Sequence, residues 1–275
     1  ARLEQIVLDR QRHPDTGEAL GPHAKQREFH ALPHKYKFFR GGLGSGKSHA
    51  GAQEFLTGIL RNYAHFSKLP LSTRKTGLEY HVGCPSYQLL EAPWMHLTNL
   101  LEEIEIASGF SLEKRRWLSW PRKLELITGD CIKFVTLPGK FAGMESAGFW
   151  VDEAELGEDP VQMFVTLNNR LRDRRAHKQF GIVTSSPKGS RGLSAFFNEK
   201  IEQEGPGSNY GLVIAKTEDN PAHEGSDYIS SLRSTMSARE IAENLGGELC
   251  AIEGSVYSRE YDAAKSLAWR WRFVK

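Results

Sequence analysis

The chain has 275 residues, room for one large domain or two modest ones, and at 39% apolar and 25% charged residues it has the composition of a folded protein, which excludes wholesale disorder. Its 36 basic and 34 acidic residues leave a net charge of +2, so overall charge announces no polyanionic partner and any nucleic-acid surface must be a local patch. Cys84, Cys131 and Cys250 lie far apart and form no CxxC pair, implying neither a disulfide framework nor a zinc site. No apolar run approaches the roughly 18 residues of a membrane helix, so a soluble, intracellular chain is expected.

Residues 1–34 are polar and rich in turn formers (Pro14, Gly17, Gly21, Pro22). An apolar run at 36–39 stops at Gly41 and Gly42 and reads as a buried strand entering a tight turn. A helix over 48–63 follows, with Ala52, Phe55, Leu56, Ile59 and Leu60 at helical spacing. A strand at 80–84 ends at Pro85, and the helical stretch after it is interrupted by Pro93. Leu124 and Leu126, then Ile132 and Phe134, alternate with polar neighbours around Thr128-Gly129-Asp130 and predict a hairpin. Short buried strands are predicted at 148–151, 181–184 and 210–215, with a helix starting at Pro160 between the first two. Two short helices close the pattern, the second with a capping box (Ser237, Glu240) and a terminal Gly246. Short apolar strands alternating with helices predict an α/β fold with a largely parallel sheet.

Two segments carry chemistry. Gly41-Gly42-Leu43-Gly44-Ser45-Gly46-Lys47-Ser48 matches GxxxxGK[ST] between a predicted strand and a predicted helix. Wrapping a triphosphate takes several converging backbone N–H groups, which only a glycine-rich backbone brings that close, and the helix amino terminus adds its dipole. Lys47 then reaches the β- and γ-phosphates and the Ser48 hydroxyl serves Mg2+. Phe149-Trp150-Val151-Asp152-Glu153 is an apolar strand closing in two carboxylates. In a parallel sheet such a strand end faces the ligand crevice, with Asp152 at the magnesium and Glu153 polarising the attacking water. Glu155 and Glu158, next along, read as a solvated helix start.

Together with Thr184-Ser185-Ser186-Pro187-Lys188-Gly189 after a strand, these segments resemble the large terminase subunit of tailed bacteriophages. Pro22-His23-Ala24-Lys25-Gln26-Arg27-Glu28-Phe29-His30 resembles that family's adenine-side motif, with Gln26 as the base reader. Asp219-Asn220-Pro221, Tyr228, Gly247-Glu248 and Glu253-Gly254-Ser255-Val256-Tyr257 resemble the end of its ATPase domain. The resemblance implies a RecA-like P-loop ATPase core with a mostly parallel sheet over 1–216, a small helical lid over 217–252, and a linker at 253–275 toward a nuclease domain. That domain would begin about where this sequence stops, so no DNA cutting is expected of it. The resemblance further implies ATP and Mg2+ as cofactors, and ATP hydrolysis that drives double-stranded viral DNA through a portal into a procapsid. Thr184, Ser185 and Ser186 would couple hydrolysis to movement. The implied partners are the portal protein, the small terminase subunit and further copies in a pentameric ring, without a membrane, in the host cytoplasm and transiently docked on the procapsid portal.

Two positions depart from the family pattern. Many members have arginine where this chain has Leu43, and arginine where it has Ala142 before Gly143. Arg40, Lys140, Arg170 and Arg172 are the candidates for the missing finger on the developing phosphate charge. A lysine there lacks the planar fork of a guanidinium. Arg170, Arg172, Arg174, Arg175 and Lys178 form the densest basic run and read as a solvated, helix-terminal cluster, whereas Lys188 and Arg191 are candidate DNA contacts. Trp269-Arg270-Trp271 reads as an edge whose apolar partners lie in the next domain. A helicase-like nucleic-acid translocase and a nucleotide-gated binding switch are the competing readings. Glu153 separates the switch from a hydrolase, because only a hydrolase loses its turnover when that carboxylate becomes an amide.

Overall fold

The computed structural model describes residues 2–8, 21–70, 72–119, 121–139, 144–189 and 192–250. The chain forms α1 (Arg2–Leu8), α2 (Ala24–Ala31), β1 (Tyr36–Gly41), α3 (Lys47–Phe66), β2 (Glu79–Cys84), α4 (Glu91–Ser108), β3 (Glu113–Trp117), β4 (Lys123–Leu126) and β5 (Cys131–Thr136). It continues through β6 (Gly148–Asp152), α5 (Pro160–Asn168), β7 (Phe180–Ser185), α6 (Leu193–Glu204), β8 (Tyr210–Ala215), α7 (Tyr228–Thr235) and α8 (Ala238–Asn244).

The strands make one eight-stranded sheet in the order β3-β4-β5-β2-β6-β7-β1-β8. From β5 to β8 every pairing is parallel, while β3 and β4 add an antiparallel edge. The central strands are apolar on both faces because helices cover both. Phe39, Trp150 and Ile182 pack with Phe55, Leu56 and Ile59 of α3. Their neighbours Phe38, Phe149, Val151 and Val183 face the other way, onto Phe164 and Leu167 of α5 and Phe197 of α6. The fold is therefore α/β with a mixed, mostly parallel sheet flanked by helices, as the alternation of short apolar strands and helices predicts.

Several local expectations change. The polar amino-terminal stretch contains two helices rather than only turns. The carboxy-terminal carbonyls of α1, at Val7 and Leu8, accept from the buried Gln53 amide of α3 at 2.9 and 3.1 Å, and α2 buries Gln26 and Phe29. Pro93 does not interrupt α4, because it lies in the first turn, where no intrahelical N–H is needed. Strand β3 and helix α6 carry no clear sequence signal. One is a charged edge strand; the other lies between Gly189, Gly192 and Gly205, which read as turns. The basic run is not helical: α5 ends at Asn168, and Arg170–Lys178 belong to the loop that enters β7. There Arg175 grips Asp173 at 2.7 and 2.9 Å and donates to Thr76 O at 2.9 Å. The Ser237–Glu240 capping box forms at the start of α8, but the left-handed residue after that helix is Gly247 (φ 67°), one beyond Gly246.

Candidate nucleotide site

Strand order decides which residues meet. Because β7 lies between β1 and β6, its end stands between the loop that leaves β1 and the acids that end β6. In register, Asp152 pairs with Thr184 and Arg40 with Ser185. Gly41 to Ser48, Asp152-Glu153 and Thr184-Ser185 thus meet at one sheet edge, from segments far apart in sequence.

The loop turns through Gly44 (φ 70°) and Gly46 (φ 79°), and Gly46 caps α3 in a left-handed conformation that favours glycine. Its carbonyls are held from two sides. From the α2 side, Gln26 Nε2 donates to Gly46 O at 3.1 Å, and His23 Nε2 lies 3.0 Å from Ser45 O. From the carboxy-terminal segment, Thr217 Oγ1 donates to Leu43 O at 2.7 Å, while Asn220 Nδ2 and His223 Nε2 lie 2.7 and 2.9 Å from Gly44 O. The N–H groups of Gly44, Gly46, Lys47 and Ser48 have no acceptor among the described residues. Pinned carbonyls and unengaged amides at a helix amino terminus define an anion cradle.

Beside the cradle, Lys47 Nζ lies 3.1 Å from Glu153 Oε1. Ser48 Oγ donates to Asp152 Oδ1 at 3.0 Å, and Thr184 Oγ1 donates to the same oxygen at 2.5 Å. The Trp150 indole N–H in turn donates to Thr184 Oγ1 at 2.6 Å. Asp152 is buried, and that burial, followed by the charge of Glu153, pushes its carboxyl up to about 7. Its second oxygen, Oδ2, is buried without a partner. Glu153 has φ 50°, the one positive value outside glycine among the described residues, and its N–H donates to Thr184 O at 2.8 Å.

The remaining candidates fall in different places. Gln26 is wholly buried, and its amide is bonded to the loop and to the His23 N–H, so it braces the phosphate loop rather than opening toward a base. Ser185 Oγ accepts from Glu155 N–H at 3.0 Å and donates to Ser186 O at 3.1 Å, while Ser186 Oγ is buried without a partner. Arg40 is buried in β1, where its Nε donates to Gly247 O at 3.0 Å. Arg170 and Arg172 precede the start of β7, at the sheet edge opposite Lys47, so in the same molecule neither reaches the cradle. Lys188 is exposed on the β7–α6 loop at the cradle's end of the sheet. Lys140, Arg191, Ala142 and the 253–275 linker with its tryptophans lie outside the described residues.

Glu155 corrects the sequence reading outright. It is buried, not solvated, and its carboxylate caps α6 by accepting from Ser194 N–H at 2.8 Å and Ser194 Oγ at 2.9 Å. Sequence reasoning also gave no role to His23, Thr217, Asn220 or His223. Only the Asn220-Pro221 turn had a local signal, and it spoke of a turn rather than of the loop it grips.

A phosphate-type loop after β1, paired acids after β6 and one strand between them define the class of P-loop α/β folds with an additional central strand. No model of a known protein family matches the sequence, and no curated protein matches it. Solved structures do match. An arginine-to-alanine mutant of the large terminase ATPase domain of Thermus phage P74-26 superposes with a TM-score of 0.54 at 18% identity, over 87% of this chain and 100% of that one. The large terminase of bacteriophage HK97 gives 0.59 at 14% identity over 90% of this chain, and that of another thermophilic bacteriophage gives 0.59 at 13% over 82%. This chain spans 55% and 53% of those two proteins. Its fold is that of large terminase ATPase domains.

Proposed function

We propose that this chain is the ATPase domain of a DNA-packaging motor, hydrolysing ATP to drive double-stranded viral DNA through a portal into a procapsid. One observation carries the reading: Lys47–Glu153 and Ser48–Asp152–Thr184 stand side by side under the unengaged loop amides. The amides and Lys47 bind the phosphates, and Glu153 orients the attacking water and takes its proton. The residues also suit a divalent cation, since Asp152 offers a buried, unpartnered carboxylate oxygen beside a serine hydroxyl. Asp152 and Ser48 would hold Mg2+, which when bound neutralises charge on the phosphate oxygens.

Residues 217–252 act as the lid, because their side chains already hold the loop carbonyls and report its position. Lys188 is placed to meet DNA from the cradle's end of the sheet. Since Arg40 is buried and Arg170 and Arg172 lie at the far edge, the finger comes from Lys140 or from a neighbouring subunit of a ring. Portal and small terminase subunit are the docking partners in the host cytoplasm. The test is Mg-ATP hydrolysis per mole of protein over a wide concentration series, with Glu153→Gln as the blank. Activity above the blank that rises with concentration supports a ring motor; wild type never exceeding the blank overturns the hydrolase reading.

A further inference from the structure

We propose that Glu155 is a positioning residue that sets Glu153 by tying the turn after β6 to the amino terminus of α6. The inference rests on reading Glu153 as the carboxylate that handles water.

Glu153 is held in a left-handed conformation that L-residues with a side chain adopt rarely and at a cost. Such a conformation persists only where its surroundings over-determine it. Here three contacts do so. Glu153 N–H is fixed to Thr184 O at 2.8 Å, and two residues on Glu155 N–H is fixed to Ser185 Oγ at 3.0 Å. The Glu155 side chain supplies the third by accepting two hydrogen bonds from Ser194 at 2.8 and 2.9 Å. The backbone contacts hold the turn to β7; only the side chain holds it to a separate element, the 12-residue helix α6.

Glu155 is 3% exposed, and a carboxylate this buried is retained only with partners. It has them on two sides. Ser194 stands at the start of α6, and Arg40, itself buried, lies within electrostatic reach. Arg40 also donates to Gly247 O, in the segment whose side chains hold the phosphate loop. There is no slack at the contact, since a Cβ added to Gly192 would stand 2.2 Å from Glu155 Oε2. Glu155 is therefore where the turn of Glu153, the α6 terminus and the Arg40 tie converge. It acts through Glu153 and through α6, not on phosphate.

The test compares Glu155→Ala with Glu155→Gln, which keeps a side-chain oxygen for Ser194. With Glu155→Ala, kcat for ATP falls about 10- to 100-fold while KM stays within about threefold, the signature of a misplaced group rather than a lost binding contact. Glu155→Gln keeps kcat within about threefold of wild type even if its melting temperature drops. Equal losses in both variants, or a KM that rises as kcat falls, overturn the proposal. Amide hydrogen exchange gives a readout that needs no turnover. Glu155→Ala speeds exchange both at 153–157 and at 193–196, and Glu155→Gln does not; unchanged exchange at 153–157 in Glu155→Ala overturns the tie. If wild type hydrolyses no more ATP than Glu153→Gln, the hydrolase reading fails, and the exchange experiment still decides whether Glu155 holds the turn.

Discussion

Lys47 Nζ lies 3.1 Å from Glu153 Oε1, so the cation assigned to phosphate and the carboxylate assigned to water hold each other. Lys47 is buried and Glu153 only partly so, which keeps the pair in reach of solvent screening. A phosphate must compete with Glu153 for this ammonium. Replacing Glu153 with Gln removes the competitor's charge and tightens nucleotide binding on the order of threefold, about 0.7 kcal/mol, while abolishing turnover. Titration with a fluorescent ATP analogue reads this directly, and weaker binding by the variant would contradict it. Lys47→Ala gives the opposite outcome, losing binding as well as turnover.

Thr184 is the hinge of a buried hydrogen-bond chain that runs from the Trp150 indole through Thr184 to Asp152 and meets Ser48 there. Thr184→Val keeps the shape but leaves the Trp150 N–H without its acceptor and Asp152 without a donor. Orphaned buried groups cost about 1–3 kcal/mol each, so unfolding stability in urea should drop by roughly 2–4 kcal/mol. Thr184→Ser retains the hydroxyl and should lose about 1 kcal/mol or less, from the missing methyl. Equal losses in the two variants would mean that packing, not the hydroxyl, makes Thr184 matter.

His81 is buried in β2 with Nδ1 3.0 Å from Ser146 Oγ, and burial lowers its pKa from 6.5 to about 4. The native state thus binds fewer protons than the unfolded state between those values. Its contribution to stability is complete above about 6.5 and is lost as pH falls toward 4, on the order of 3 kcal/mol in all. His96, also lowered to about 4 by burial, acts in the same direction. Asp130 acts oppositely: burial raises it from 3.8 to about 6, so its contribution is lost as pH rises through that window. The sum hides each part, and a variant comparison separates them. Whatever His81→Asn costs in absolute stability, its free energy of unfolding should fall less steeply than wild type from pH 6.5 to 4.5. Parallel slopes would show that His81 does not stay neutral in the fold.

The loop of Lys47 and the strand ending at Asp152 were legible in the sequence because each is a contiguous pattern, and contiguity is what periodicity and motif reading detect. The sheet order was not. Nothing local says that β7 enters between β1 and β6, and only that insertion makes Thr184 a partner of Asp152. Glu155 was misread for a related reason. An acid after a strand is usually solvated, and its burial here depends on Ser194 and Arg40, one 39 residues downstream and the other on a different strand. Gln26 stood out as a polar residue near a motif, yet its amide is engaged by Gly46 O and by its own helix start, a constraint visible only in three dimensions. Helix α2 was hidden by its polar composition, since one buried Phe29 and a buried glutamine leave little apolar stripe to read.

The carbonyl of Gly44 receives Asn220 Nδ2 at 2.7 Å and His223 Nε2 at 2.9 Å, two donors from one segment on a single acceptor. The His223 ring stacks on Tyr228 at 4.5 Å, which fixes its orientation. This carbonyl is the outer side of the peptide group between Gly44 and Ser45, next to the unengaged Gly44 and Gly46 amides, so holding it limits how far the cradle can open. Removing both donors in Asn220→Ala with His223→Ala leaves the anion site chemically intact but loosens its backbone. With about 1 kcal/mol for each hydrogen bond, nucleotide affinity should weaken about tenfold or more. An exposed change on the same segment, Glu224→Ala, should leave affinity unchanged. The measurement is again equilibrium titration with a fluorescent nucleotide, paired with a melting curve to show that the fold survives. If the double variant binds as tightly as wild type, the loop is rigid by its own glycine geometry and the 217–250 segment does not govern it.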